Sequence, residues 1–373
     1  MIITSQVMCA CRALRREILD FDLVYPLEVD MSAGPAKSLH YYLYSDSLEW
    51  KAMRMDPNGI PRTWTRTTGI NYWPGYIAWY ALVELGHYVR GKGTRHLDSF
   101  LKQIDWLEDH AVCSDGSVVW AMNFDNPENE VVLRAPWTSA HAQGLAISAV
   151  VRGWRVTKRP NLLDLLQRSW RIFDLDVADG GIRARIDGNV FYTEVPGGSL
   201  PGILDGFMTS LLGLHDLYVQ TRNERIGRLL SAGVEGLKKL LPRWNYRNKW
   251  SWYGCREYLC PPAYHSLNRA LLHALGKITG NIDLIQCAEQ WNPVHLSRIA
   301  KAEVYLAFLL TKNRSRIRHR TWMHYTIPEE GAHRLPILNI LGQTLDRQAA
   351  ATGFEEAGAD EKLSEALNKT ELT

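Results

Sequence analysis

The sequence predicts a mainly α-helical fold: an incomplete (α/α) toroid of about four helical hairpins, with β-hairpin insertions at one mouth and a small β-rich N-terminal cap. Three observations carry this. Apolar residues recur with helical spacing in Leu97, Phe100, Leu101, Ile104, Leu107 and again in Ile226, Leu229, Leu230, Val234, Leu237, Leu241. Each such stretch follows another helical one richer in Gly, Ala and Ser, and these inner stretches end near Arg90, Thr157, Thr221 and Thr279, at intervals of 67, 64 and 58 residues. Segments of strand character separate the pairs. A hairpin buries only one face alone, so an array of them is stable when stacked.

Taken in order, residues 1–70 are expected to form the cap, from VYPLEVD, LHYYLYS and the DPNGIP turn at 56–61. Residues 71–341 form the toroid as one domain. Its inner helices are 74–90, 139–157, 205–221 and 265–279, with outer helices over 97–107, 162–173 and 226–241. The insertions DGSVVWAMNFD (115–125), GGIRARIDGNVFYTEV (181–195) and NKWSWYGCREYL (248–259) each lead into an inner helix, so all emerge at one end. They are loaded with Trp, Tyr, Arg and Asn, which predicts a groove walled by aromatic and basic groups; insertions of this length usually have a function. The basic run KNRSRIRHR (312–320) reads as a solvated helix face, and residues 342–373 as a polar tail.

Composition narrows the function. The 373 residues carry 43 Lys+Arg against 40 Asp+Glu, and a net charge of +3 argues against non-specific nucleic-acid binding. Six cysteines include no CxxC pair and read as reduced thiols. Trp (14) and Tyr (16) far outnumber Phe (8), which favours flat contacts with half-polar ligands such as sugars. No apolar run reaches the ~18 residues of a membrane span, and the first twenty residues lack a secretory pattern. The reading is a soluble, cytoplasmic protein.

Familiar catalytic machinery is missing: there is no GxSxG elbow, phosphate loop, HExxH or dinucleotide fingerprint. No cofactor and no metal are expected. Asp125, Glu194 and Asp205 are candidate carboxylates for a glycosidase, but no spacing singles out a pair. Polar and aromatic candidates gather where insertions meet inner helices: Tyr192 and Glu194 before the helix carrying Asp205 and Thr209, Tyr253 and Arg256 before Tyr264 and His265, and Gln143 on a small-residue face.

The run PWTSAHAQGLAISAVVRGWRVT resembles the signature of the D-glucuronyl C5-epimerase family through Trp137, Ser139, Ala140, Gln143, Gly144, Ala146, Ile147 and Ser148. The block YTEVPGGSLPGILDGFMTSLLGLHDL is similar at Tyr192, Glu194, Pro196, Leu204, Gly206, Phe207, Met208, Leu211, Gly213, Leu214, Asp216 and Leu217. A third block matches at Tyr253, Arg256, Tyr264 and His265, and GINYWPGYIAWYALVELGHY resembles the family's aromatic-Pro entry into its first helix. The resemblance covers roughly residues 58–275. It implies an α-helical barrel and inversion at C5 of glucuronate in a heparosan-like polymer, giving iduronate. It further implies Tyr253 and Tyr264 as the catalytic pair with Glu194 as partner. Substrate contacts would come from Arg256, His265, Ser266, Asp205, Thr209, Gln143, Tyr192, Trp73 and Tyr76. The sequence departs from the pattern at Val195, where the family has a second tyrosine, at Asn268, where it has a histidine, and in a shorter stretch between Tyr253 and Tyr264.

The implied chemistry suits these residue types. Removing a proton α to a carboxylate builds enolate-like charge that needs fixed donors, for which Arg256 and His265 are candidates. A phenol with pKa near 10 is a ready acid and becomes a base only beside a cation. Two alternatives use the same residues: a polysaccharide lyase, which expels the C4 oxygen after the same proton loss, and a non-catalytic glycan-binding toroid. The expected partner is an anionic uronate polysaccharide, with no nucleic acid and no membrane insertion. Animal members of the family resemble dimers, which makes a homodimer the expected assembly.

Overall fold

The computed structural model describes residues 27–318, apart from 31, 35–36, 45–53, 66–67, 115, 129–130, 198–201 and 255–256. The tail expected over 342–373 and the first part of the expected cap lie outside the described residues.

The described chain is mainly helical with small sheets. Its helices are α1 Pro74–Val89, α2 Arg95–Asp109, α3 Ala140–Thr157, α4 Pro160–Arg168, α5 Leu204–Thr221, α6 Glu224–Leu240, α7 Pro262–Thr279, α8 Ile282–Gln290 and α9 Arg298–Arg318. The odd-numbered helices α1, α3, α5 and α7 pack side by side in chain order, and α2, α4, α6 and α8 each lie back against the helix before them. Three hairpins repeat one local design. The last residue of α3, α5 and α7 is a threonine whose hydroxyl donates to the carbonyl four residues back: Thr157 to Gly153 at 2.8 Å, Thr221 to Leu217 at 2.8 Å and Thr279 to Leu275 at 2.6 Å. A residue in the left-handed region follows, Lys158 (φ 59°), Arg222 (φ 55°) or Gly280 (φ 67°), and reverses the chain. In two of the three, an asparagine then caps the outer helix, Asn223 on Arg225 N and Asn281 on Asp283 N.

Glycine explains how closely α3 and α5 approach. A methyl group on Gly144 would fall 2.5 Å from Ser210 Cα, and one on Gly213 would fall 2.4 Å from the Gly144 carbonyl oxygen. Backbone meets backbone there, which fits the fully buried Ala146, Ile147, Ser148, Leu211 and Leu214 nearby.

Short antiparallel hairpins precede the inner helices: Val112–Ser114 with Ser117–Val119 before α3, Arg183–Ile186 with Asn189–Tyr192 before α5, and Asn245–Tyr246 with Trp250–Ser251 before α7. A further hairpin, Asn126–Glu128 with Val131–Leu133, was not anticipated from sequence. At the N-terminus, Glu28–Val29 pairs with Leu43–Tyr44, and Arg54–Met55, Pro61–Thr65 and Gly69–Asn71 form a three-stranded sheet. Tyr41, Tyr42, Leu43 and Ile60 are buried in the same core as the helices, so this region is part of the helical body's packing. It is tied down by a buried network: Arg152 donates to Asp216 at 2.6 Å and to the His40 carbonyl at 2.7 Å, while Tyr42 donates to Asp216 at 2.8 Å.

The basic run is not a uniformly solvated face. Lys312 is buried over the Tyr258 and Phe308 rings, and Arg318 pairs with Glu257. No helix among the described residues is long and apolar enough to cross a membrane.

Candidate active site

The first turns of α1, α3, α5 and α7 carry the site. None of these four helix starts has a side-chain cap from its N-cap residue, so each turns the positive end of its dipole this way; in α5 the Asp205 carboxyl accepts from first-turn N–H groups of its own helix. Close packing holds the starts together: a methyl on Gly75 of α1 would lie 3.2 Å from Ala142 Cα and 3.6 Å from the His141 ring of α3.

Glu194 follows the Asn189–Tyr192 strand, and Thr193 anchors it by accepting from Ala140 N at 3.0 Å. Its carboxylate lies across the first turn of α5, where a methyl on Gly206 would sit 2.1 Å from Oε2. His141 Nδ1 is 3.6 Å from Glu194 Oε2, an ion-pair contact slightly longer than a hydrogen bond. Neither atom has a hydrogen-bond partner among the described residues. The two side chains are 13% and 25% exposed, while these two facing atoms are themselves buried. Asp205 lies beside them, buried. Burial, and then the Glu194 charge, push its pKa up to about 7. Burial works to lower the His141 pKa, but the Glu194 carboxylate and, to a smaller extent, Asp205 together outweigh it and the net shift is upward.

Tyr253 and Tyr264 meet edge to face with ring centroids 5.4 Å apart. Tyr253 is positioned by a turn: its N–H donates to the Tyr258 carbonyl at 2.8 Å, with Gly254 (φ +56°) and Glu257 (φ 54°) both in the left-handed region. Gly254 is required, since a methyl there would fall 2.1 Å from the Gly202 carbonyl oxygen. The turn stacks Tyr258 on Tyr253 at 5.3 Å. The tyrosine pair is brought together as expected from sequence, but Tyr253 and Tyr264 are only 2% and 3% exposed. Burial, then the neighbouring Tyr264 and Asp205, raise the Tyr253 pKa well above its ordinary value. Tyr253 is therefore a neutral acid and not a phenolate. Val195 packs against the tyrosine cluster and also against a second cluster containing Trp137, on which Trp73 and Phe124 pack to form an aromatic wall. Trp73 stands 4.9 Å from Phe124 and 5.6 Å from Tyr76, with its indole Nε1 unpartnered among the described residues.

Residues 114–293 match the family model of the D-glucuronyl C5-epimerase C-terminus. Over that stretch the chain is similar to the D-glucuronyl C5-epimerase family. A D-glucuronyl C5-epimerase of Caenorhabditis elegans is 28% identical over 219 residues, which is 53% of this chain and 35% of that protein. Uncharacterized protein MJ1128 of Methanocaldococcus jannaschii is 25% identical over 178 residues, 47% of this chain and 57% of that one. The chain thus spans 35% and 57% of the length of these two relatives.

Several residues expected at the substrate have other employment in this chain. His265 is fully buried, stacked on Trp250 at 3.6 Å, with Nε2 donating to the Trp291 carbonyl at 2.8 Å and Nδ1 2.9 Å from Ser251 Oγ. Burial drops its pKa to about 3, so it is neutral and supplies no cation for an enolate. Asn268 joins the same network by donating to Ser251 Oγ at 3.2 Å. Gln143 is fully buried and its amide is consumed, donating to the Val118 and Ser169 carbonyls and accepting from Trp120 N. The Tyr192 hydroxyl, also fully buried, donates to the Leu229 carbonyl at 2.9 Å. The Thr209 hydroxyl donates back to the Asp205 carbonyl within α5. These four hold the rim in shape instead of facing a ligand. Ser266 is half-buried in α7, and Arg256 lies outside the described residues. Sequence reasoning missed His141: it sits inside the quoted WTSAHAQG run, but its meaning depends on Glu194, which folding brings to it.

Proposed function

We propose that this rim is the proton-transfer centre of an isomerase: a polysaccharide uronate C5-epimerase that converts D-glucuronate units to L-iduronate in a heparosan-like polymer. The helix row is read as an incomplete α/α toroid with this rim at its mouth. The observation that carries the reading is the placement of Glu194, a carboxylate over a helix start in ion-pair contact with His141, next to Val195, which packs against the Tyr253–Tyr264 cluster.

The chemistry follows from that arrangement. The uronate carboxylate is drawn by the uncapped helix starts, and the sugar face packs on the Trp73–Phe124–Trp137 wall. Glu194 takes the C5 proton; the C–H electron pair stays on the sugar and spreads into its carboxylate as an enediolate. A tyrosine phenol returns a proton to the opposite face of C5. The raised Tyr253 pKa keeps the phenol protonated and so excludes it as the base, and the two-face geometry requires two groups. Each turnover leaves Glu194 protonated and one phenol deprotonated, and solvent resets both.

The test is incubation of the protein with glucuronate polymers in deuterated buffer. Deuterium at C5 with iduronate formed and no unsaturated product supports the epimerase. A rising ultraviolet absorbance from an unsaturated uronate identifies a lyase, and binding without exchange identifies a glycan-binding toroid.

A further inference from the structure

Two carboxyls share the rim, and a base for C5 must be ionised while its neighbour is not. We propose that His141 is the positioning residue that divides these roles, holding Glu194 as the carboxylate that takes the C5 proton and leaving Asp205 as the carboxylic acid that faces the uronate's own carboxylate. This rests on the epimerase reading of the same site.

The geometry assigns the partners. His141 Nδ1 reaches Glu194 Oε2 at 3.6 Å, whereas no ion pair joins it to Asp205 among the described residues. The elements packed around the imidazole contribute few other charges: the first turn of α1 has no acidic residue, α3 contributes only His141 at its start, and α5 contributes Asp205. Tyr253 faces the carboxyls from the turn before α7 and is neutral. Two close carboxyls, one of them buried, do not both ionise cheaply beside one cation, and the one nearer the cation keeps the charge. The upward shifts of His141 and Asp205 agree with this division. The cluster then holds an imidazolium, a carboxylate and a neutral acid, with net charge zero, so it does not repel an anionic polymer. Were both carboxyls ionised without His141, the rim would carry two negative charges where the substrate brings a third.

The proton inventory is read on the full chain by histidine-ring NMR titration, with His141 assigned by its loss in His141→Asn. In the wild type His141 titrates above 6.5. Glu194→Gln lowers that midpoint by at least one pH unit, and Asp205→Asn lowers it by less. A larger drop in Asp205→Asn than in Glu194→Gln, or a wild-type midpoint below 6.5, overturns the assignment; if only one variant folds, a drop under one pH unit in Glu194→Gln, or of one unit or more in Asp205→Asn, overturns it. His141→Asn keeps an amide donor without the charge, so the acidic limb of the C5-exchange rate moves up by at least one pH unit while the plateau stays within about threefold. A fallen plateau with an unmoved limb marks His141 as packing only and overturns the proposal. Absence of exchange in the wild type with every uronate polymer sinks the epimerase reading instead, and the titration still decides which carboxyl the imidazole holds.

Discussion

Asp205 offers the sharpest energetic test, because its burial makes folding depend on pH in a sense opposite to that of an ordinary salt-bridged aspartate. Its folded pKa is raised from 3.8 to about 7, first by burial and then by the Glu194 charge. A raised folded pKa means the native state holds a proton that the unfolded chain releases, so stability is full below 3.8 and is lost as pH climbs through about 7. At 1.36 kcal/mol per pK unit, the loss between pH 5 and pH 8 is on the order of 3 kcal/mol, an upper value. Asp205→Asn removes the ionisable group while keeping size and polarity. The expected outcome is a variant whose stability, measured by urea unfolding, gains on the wild type by about 2–3 kcal/mol as pH rises from 5 to 8. A stability difference that stays flat over that range, or that moves in the wild type's favour, refutes the claim that Asp205 is buried as a neutral acid.

Other expectations follow from single distances. Gly206→Ala places a methyl 2.1 Å from Glu194 Oε2, so the carboxylate must leave His141. C5 exchange is expected to fall at least tenfold, while thermal unfolding shows a cost of only about 1–3 kcal/mol; retained exchange would show that Glu194 works from another position. Arg152→Leu strips the buried Asp216 of its cation and the His40 carbonyl of its donor. The expected cost is about 3–5 kcal/mol by chemical unfolding, and a cost below ~1 kcal/mol would contradict the account of how the N-terminal strand is tied to α3 and α5.

Much of the fold was legible in sequence because helices with one apolar face write their period into the chain. The expected helix over 139–157 is observed at Ala140–Thr157, and that over 205–221 at Leu204–Thr221. The recurring threonines that marked helix ends turned out to be a physical device, a hydroxyl closing the last turn before the left-handed residue. The hairpin over 126–133 escaped because its strands are three residues each, too short for alternation to register. The site was legible only where chemistry and sequence order coincide. Tyr253 and Tyr264 lie close along the chain and close in space. His265 was misplaced because a histidine at a helix start looks the same whether it faces a ligand or stacks on Trp250 inside the core. His141 was missed for the converse reason: nothing beside it in the chain has an opposite charge, and its partner Glu194 arrives from a separate hairpin.

The central claim is that a carboxylate at the joined helix starts removes the C5 proton of a bound uronate. It is tested most directly by proton NMR of a glucuronate polymer in deuterated buffer, with wild-type protein and Glu194→Gln side by side. The account predicts loss of the C5–H signal with wild type and its persistence with the variant, which still binds the polymer. Equal exchange by both proteins would contradict it.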